Sequence, residues 1–136
     1  MLSEEQYELL ESLLENCYPN SQVRLRINEL EFRLRGLVIK SNFKIICVKV
    51  INGEEYRMIS GINDPYEIIC NTKIVKSFFN KQKTKLSKKQ FKRLSDELTE
   101  EMKKDSIYKT PIWRNTSKFI AHLKKLEKAG NKIEIY

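Results

Sequence analysis

Glycine and proline are scarce, with four and three among 136 residues. Loops should therefore be few and the elements between them long. No run approaches 18 consecutive apolar residues, so no membrane-spanning helix and no membrane partner are expected. The opening Met1-Leu2-Ser3-Glu4-Glu5 is acidic, where a secretory leader would place positive charge and then an apolar run. A cytoplasmic location is expected. There is one histidine, His122, so histidine-dependent triads and multi-histidine metal sites lack their ligands. Its place beside an apolar stripe marks it as a structural residue at the edge of the core. The four glycines stand alone, without GxxxxGK or GxGxxG, so no phosphate-binding loop is present. Cys17, Cys47 and Cys70 are odd in number and far apart, among apolar neighbours and without CxxC spacing. They read as buried reduced thiols, not a disulfide framework or a zinc site. No cofactor is expected.

Acid is the other absence. Residues 68–95 carry nine basic groups and no Asp or Glu, a local charge of +9. Residues 1–67 hold 11 acids against 8 bases (−3), residues 96–105 hold 5 against 2 (−3), and residues 106–136 hold 2 against 7 (+5). The net +8 is thus polarised, and such a field attracts polyanions. Composition is otherwise that of a globular chain, 40% hydrophobic and 32% charged, and the length suits a single domain over 1–136. That domain would have an acidic helix-plus-sheet half (1–67) and a basic helical half (68–136). Abundant lysine, isoleucine and asparagine fit an AT-rich genome, such as that of a phage or plasmid.

The expected fold is α+β. Ser3-x-x-Gln6 reads as a capping box opening a helix over 3–16, with Leu9, Leu10, Leu13 and Leu14 at helical spacing, a glutamate face (Glu4, Glu8, Glu11, Glu15), and Pro19-Asn20 ending it. About four antiparallel strands follow over 23–60. The apolar phase slips by one residue at Asn28-Glu29, which demands a tight turn or bulge. Residues 43–51 suit a central strand, Asn52-Gly53 a two-residue hairpin turn, and 54–60 its return strand. Asp64-Pro65-Tyr66-Glu67 starts a helix whose core face would be Ile68, Ile69, Val75 and Phe79. A lysine-rich linker over 80–86 leads to a second capping box, Ser87-Lys88-Lys89-Gln90, and a helix of about 16 residues striped by Phe91, Leu94, Leu98 and Met102. Residues 105–114 read as a loop. A third helix, capped by Asn115 or Thr116, carries Phe119, Ile120, Leu123 and Leu126 and ends at Gly130. Residues 132–136 alternate like an edge strand.

Two basic segments are the candidate sites. Lys81, Lys83, Lys85, Lys88, Lys89, Lys92 and Arg93 fall within 13 residues. Lys88 and Lys89 stand at a helix start, where positive charge opposes the macrodipole by about 0.3–1 kcal/mol each. A bound polyanion would reverse that cost, since helix N-termini bind phosphate. The second segment is Arg114, Lys118, Lys124 and Lys125, with Lys128 and Lys132 beyond. Trp113 and Tyr108 stand before it, either to stack bases or to anchor a loop to the core. The string Leu123-Lys124-Lys125-Leu126-Glu127-Lys128-Ala129-Gly130 and the short strand after it resemble the end of a recognition helix leading into the wing of winged-helix DNA-binding domains. The preceding helix lies about eleven residues away, against three or four in a helix-turn-helix. Arg24, Arg26, Arg33 and Arg35 would add a basic sheet surface or pair with glutamates across strands.

Non-enzymatic nucleic-acid binding through lysine-rich phosphate contacts is therefore expected, to DNA or RNA. The alternative is a small protein-binding regulator or inhibitor gripping an acidic or basic partner. A third reading is a metal-dependent nuclease, which needs Glu29, Glu31, Glu54, Glu55, Asp64 or Glu67 to converge on a metal.

Overall fold

The computed structural model describes residues 1–16, 22–57 and 64–136. In chain order the elements are α1 (Glu4–Glu15), β1 (Gln22–Ile27), β2 (Leu30–Ile39), β3 (Asn42–Ile51), β4 (Glu54–Arg57), a 3-10 turn (Pro65–Ile69), β5 (Asn71–Val75), α2 (Phe78–Gln82), α3 (Lys88–Glu97), α4 (Glu100–Lys103), β6 (Ser106–Thr110), β7 (Ile112–Trp113), α5 (Thr116–Lys128) and β8 (Ile133–Ile135). This is the expected mixture of an N-terminal helix, an antiparallel sheet, later helices and a C-terminal strand. No helix among the described residues is long and apolar enough to cross a membrane.

The chain packs as two compact units. Unit 1 comprises Met1–Asn71 and Thr110–Tyr136, and unit 2 is the intervening Thr72–Lys109. The basic half seen in the sequence is thus divided between the two.

Unit 1 is built on a sheet ordered β4-β3-β2-β1-β8, with β7 paired to β3. Two-residue turns set its register. Asn28 and Glu29 both have positive φ, as do Asn52 and Gly53, which gives the twist that a tight hairpin needs. The slip at Asn28-Glu29 is therefore a turn, and Ile27 pairs with Leu30 across it. Alternation then sends Val23, Leu25, Ile27, Phe32, Leu34, Ile45 and Cys47 to one face, where all are buried. Tyr7, Leu10 and Leu14 of α1 and Phe119, Ile120 and Leu123 of α5 complete that core. The expected capping box at Ser3 and Gln6 is present. However, Leu9 and Leu13 lie exposed, because Tyr7 rather than Leu13 shares the buried stripe with Leu10 and Leu14. Cys47 and Cys70 are buried and form no disulfide among the described residues, and burial pushes the Cys47 thiol well up. Cys17, Pro19, Asn20 and residues 58–60 lie outside the described residues.

Four expectations need correction. Asp64 does cap a helical turn at Pro65, accepting from the Tyr66 amide, but the turn stops at Ile69. Residues 71–75 leave it as β5, because Thr72, Ile74 and Val75 are β-branched and pair with β6. The loop expected over 105–114 is β6 and β7. The helix expected to reach Met102 ends at Glu97, with Leu98 extended and Thr99 capping a separate α4. Finally, part of the linker expected over 80–86 is helical, since α2 runs to Gln82. The edge strand expected after α5 is present as β8, antiparallel to β1, with Ile133 opposite Ile27 and Ile135 opposite Leu25. Gly130 closes α5 as expected, with φ 98° and the paired Gly130 to Glu127 and Asn131 to Leu126 backbone bonds of a Schellman motif.

One buried acid was not foreseen. Glu127 is buried between α5 and α1, accepting from the Tyr7 hydroxyl and, at 2.9 Å, from the Leu2 amide. Burial and then the Glu127 carboxylate hold the Tyr7 phenol well above its ordinary value of 10.0. A charged group can stay in such a place because its acceptor sites are filled.

Candidate nucleic-acid interface

Unit 2 carries nearly all of the molecule's net charge. Its 38 residues hold twelve Lys/Arg and five Asp/Glu, so +7 of the chain's +8 lies there and unit 1 is left with +1. None of its residues falls in the buried class. Its apolar contacts are thin. Phe79 stacks on Phe91 at 4.5 Å between ring centroids, and the Lys103 ammonium lies 5.5 Å from the Phe79 ring. Polar bonds do the rest. Asp105 accepts from the Ser77 amide and the Asn80 side chain, both at 2.8 Å, and the Lys103 carbonyl accepts from Ser77 Oγ and Asn80 Nδ2. Those donors, Asn80 first and then Ser77, hold the Asp105 carboxyl below its ordinary value.

The seven cations of 81–93 are distributed over α2, the turn after it, and α3. All seven are exposed, and none forms an ion pair among the described residues. The capping box at Ser87 and Gln90 is formed, which places Lys88 and Lys89 in the first turn of α3. Lys92 and Arg93 follow each of them by four residues, so like charges are neighbours on the helix surface, which is unfavourable by about 0.2–0.5 kcal/mol per pair. The last turn contains Asp96 and Glu97 and no base. Both ends of α3 therefore carry the charge opposite to what the macrodipole favours. An anion over the first turn would relieve the first of these costs.

The second segment sits in unit 1 and is less available. Arg114, Lys118 and Lys125 are exposed and form no ion pair among the described residues. Lys124 is half-buried, 3.5 Å from Glu4 and 5.1 Å from the Tyr7 ring centroid. Lys132 pairs with Glu134 at 2.9 Å. Trp113 is 6% exposed. Its Nε1 donates to the Ile69 carbonyl at 2.9 Å, and its ring meets Phe119 and His122 at centroid distances of 5.4 and 5.0 Å. It is a core anchor, and a base cannot reach its faces. Tyr108 is different: it is in unit 2 and exposed, with the Lys73 ammonium 6.0 Å from its ring. His122, as expected, is a boundary residue, with Nε2 2.8 Å from the Ile68 carbonyl.

Three of the four sheet arginines have glutamate partners, and Arg24 is exposed with no ion pair among the described residues. Arg33 and Arg35 both hold Glu55, at 2.7 and 2.6 Å, and Arg26 lies 3.5 Å from Glu31 and 3.6 Å from Glu134. The hydrogen bond from Arg33, followed by the charge of Arg35, keeps the Glu55 carboxyl below its ordinary value of 4.5. A depressed carboxyl contributes stability that is present above its unfolded value and lost as pH falls through its folded value. Glu55→Gln should thus lower stability by about 1 kcal/mol at pH 7, the upper end for partly exposed pairs. The gap to the wild type should close as pH falls below 4.5 in urea titrations; a gap that stays constant with pH would contradict the assignment.

Glu55 is thus occupied, and Asp64 is engaged with the Tyr66 amide and with Lys49 at 3.1 Å. Among the described residues no three His, Cys, Asp or Glu side chains are grouped to hold a metal ion. The carboxylates named for a nuclease do not converge. No family model, curated protein or solved structure matches this chain.

Proposed function

We propose that this protein binds nucleic acid without catalysing a reaction on it, through the phosphate backbone and the cations of unit 2. The observation that carries this reading is the set of seven exposed cations on Lys81–Arg93, without an ion pair among the described residues and held in a unit that contains +7 of the net +8. Contacts of this kind position a protein on the backbone and do not read bases. Lys73 and Tyr108 extend the same unit with a cation beside an exposed ring.

The test is a gel-shift panel with duplex DNA, single-stranded DNA and RNA at about 50 mM salt, where phosphate contacts are strong. Absence of binding to all three would sink the reading. Lys88→Glu/Lys89→Glu supplies the specific check. Each phosphate contact is worth about eightfold in affinity near 0.1 M salt, so losing two should weaken binding about 60-fold. The melting temperature should not fall, because acid at a helix start is favourable. Unchanged affinity would remove the start of α3 from the interface.

A second reading, a protein-binding regulator, draws on a separate observation. Ile74, Phe78, Met102 and Ile107 of unit 2 are all more than half exposed. A protein that co-purifies in stoichiometric amount, and whose binding is lost on Phe78→Ser but not on Lys88→Glu/Lys89→Glu, would favour it.

A further inference from the structure

We propose that unit 1 carries a phosphoryl-binding cleft of its own, between the β2–β3 turn and the segment leading into α5. The cleft is lined by Ser41, Asn42, Phe43, Lys44 and Arg114. Strand pairing creates it. β7 pairs antiparallel with β3, Ile46 opposite Ile112 and Ile45 opposite Trp113. The chain bends at Arg114, just beyond that pairing, and both Arg114 and Lys44 line the cleft. Residues directly opposed in an antiparallel pair share a face, with Cβ atoms about 4.5–5.5 Å apart. Ile45 and Trp113 both enter the core. Lys44 and Arg114 flank that pair in the chain and share the cleft.

Like charges sharing a cleft repel each other unless something neutralises them. Nothing does: no Asp or Glu lines the cleft, and neither cation forms an ion pair among the described residues. The contrast with the neighbouring strands is plain, since Arg26, Arg33 and Arg35 each share a carboxylate. The turn that forms one wall is also costly. Lys40 and Ser41 have φ of 50° and 65°, and neither is a residue that adopts positive φ readily. Asn-Gly, used at the next hairpin, would have relieved that strain.

The donors suit a tetrahedral oxyanion. Arg114 offers a planar fork for two oxygens, Lys44 a point charge, Ser41 a hydroxyl and Asn42 an amide. Phe43 gives one apolar wall. A carboxylate has two oxygens and one charge, and would leave part of this set unmatched. A phosphate monoester has three terminal oxygens and up to two charges, and a backbone phosphodiester has one charge but four oxygens, two terminal and two ester, set tetrahedrally about phosphorus. The phosphoryl group can arrive as a free phosphate monoester or as part of a nucleic-acid backbone, and the cleft recognises the group common to both. The proposal stands apart from unit 2 and does not need the nucleic-acid reading.

Titration of the isotope-labelled full chain with inorganic phosphate, followed amide by amide, tests it. Saturable shifts are expected at Ser41 to Lys44 and at Arg114. Lys44→Met/Arg114→Gln should raise the apparent Kd at least tenfold, whereas Lys44→Arg alone, which keeps the charge and leaves the Arg114 fork in place, should hold it within about threefold. Lys88→Glu/Lys89→Glu should leave these shifts unchanged. Shifts confined to residues 81–93, no shifts at all, or an unchanged Kd in Lys44→Met/Arg114→Gln would overturn the proposal. Adenosine 5′-monophosphate and a thymidine oligonucleotide lacking terminal phosphate then separate the sources. Competition by the monophosphate alone assigns the cleft to a free monoester, and competition by the oligonucleotide assigns it to a strand; both support a phosphoryl site.

Discussion

Trp113→Ala is expected to cost about 4 kcal/mol of folding stability, a factor of about a thousand in the folding equilibrium. The ring is 6% exposed and lies at the meeting point of β3, β7 and α5, against Phe119 and His122. Deleting it opens a cavity in a core that cannot collapse freely, since Ile45 opposite it is held by the sheet. It also strands the Ile69 carbonyl, which accepts from Nε1 at 2.9 Å; an unsatisfied buried acceptor adds about 1–3 kcal/mol. Domains of this size have about 5–15 kcal/mol in total, so the variant should be near the limit of folding. Urea denaturation followed by circular dichroism measures it, as the sole tryptophan is gone. Trp113→Phe keeps most of the volume and loses the hydrogen bond, and should fall between the two. It should also bind nucleic acid like the wild type, because the indole has no face open to a base. A stable Trp113→Phe that loses binding would mean that the ring contacts ligand after all.

The same residue shows what a sequence can and cannot supply. Its two roles, base stacking and core anchor, were both open because neither is encoded within a few residues of position 113. The choice was made by Ile69, 44 residues away. Features written in local chemistry were legible. Ser3 and Ser87 cap their helices with Gln6 and Gln90, Asn28-Glu29 and Asn52-Gly53 turn, and Gly130 ends α5. Features that depend on a distant partner were not. Asp64-Pro65 starts a helical turn as read, but residues 71–75 become a strand because 106–110 are there to pair with them. Thr99, legible as a cap only once Leu98 is seen to be extended, cuts the expected long helix in two. Glu127 sits four residues after Leu123 on the buried side of α5, and nothing local to it marks an acid there as buried. Tyr7 of α1 makes that burial tolerable. The charge split was visible throughout, yet its limits were not. The acid-free run of 68–95 suggested a boundary near 67, whereas unit 2 runs from Thr72 past the acidic stretch to Lys109. Nothing in the charge pattern alone shows that Asp96, Glu97, Glu100 and Glu101 belong with the lysines.

That grouping determines the salt dependence of binding, where the largest effect on function is expected. If Lys81, Lys83, Lys85, Lys88, Lys89, Lys92 and Arg93 each contact a phosphate, log K against log salt should have a slope near −6 on duplex DNA and near −5 on a single strand. Affinity on the duplex should then fall by more than three orders of magnitude between about 50 and 200 mM salt. The five acids of unit 2 do not enter this count, because counterion release depends on phosphates neutralised and not on net charge. Lys88→Glu/Lys89→Glu should make the slope shallower by about 2, which separates loss of contacts from a general weakening of the complex. The slope also discriminates between partners. Screening of exposed pairs at a protein surface gives a weaker dependence, since each pair is worth only about 0.2–1 kcal/mol and no condensed counterion layer is released. Fluorescence anisotropy with a labelled oligonucleotide across four salt concentrations is sufficient. A slope of −2 or shallower would mean that most of these cations face solvent in the complex, and the interface would have to be sought in unit 1.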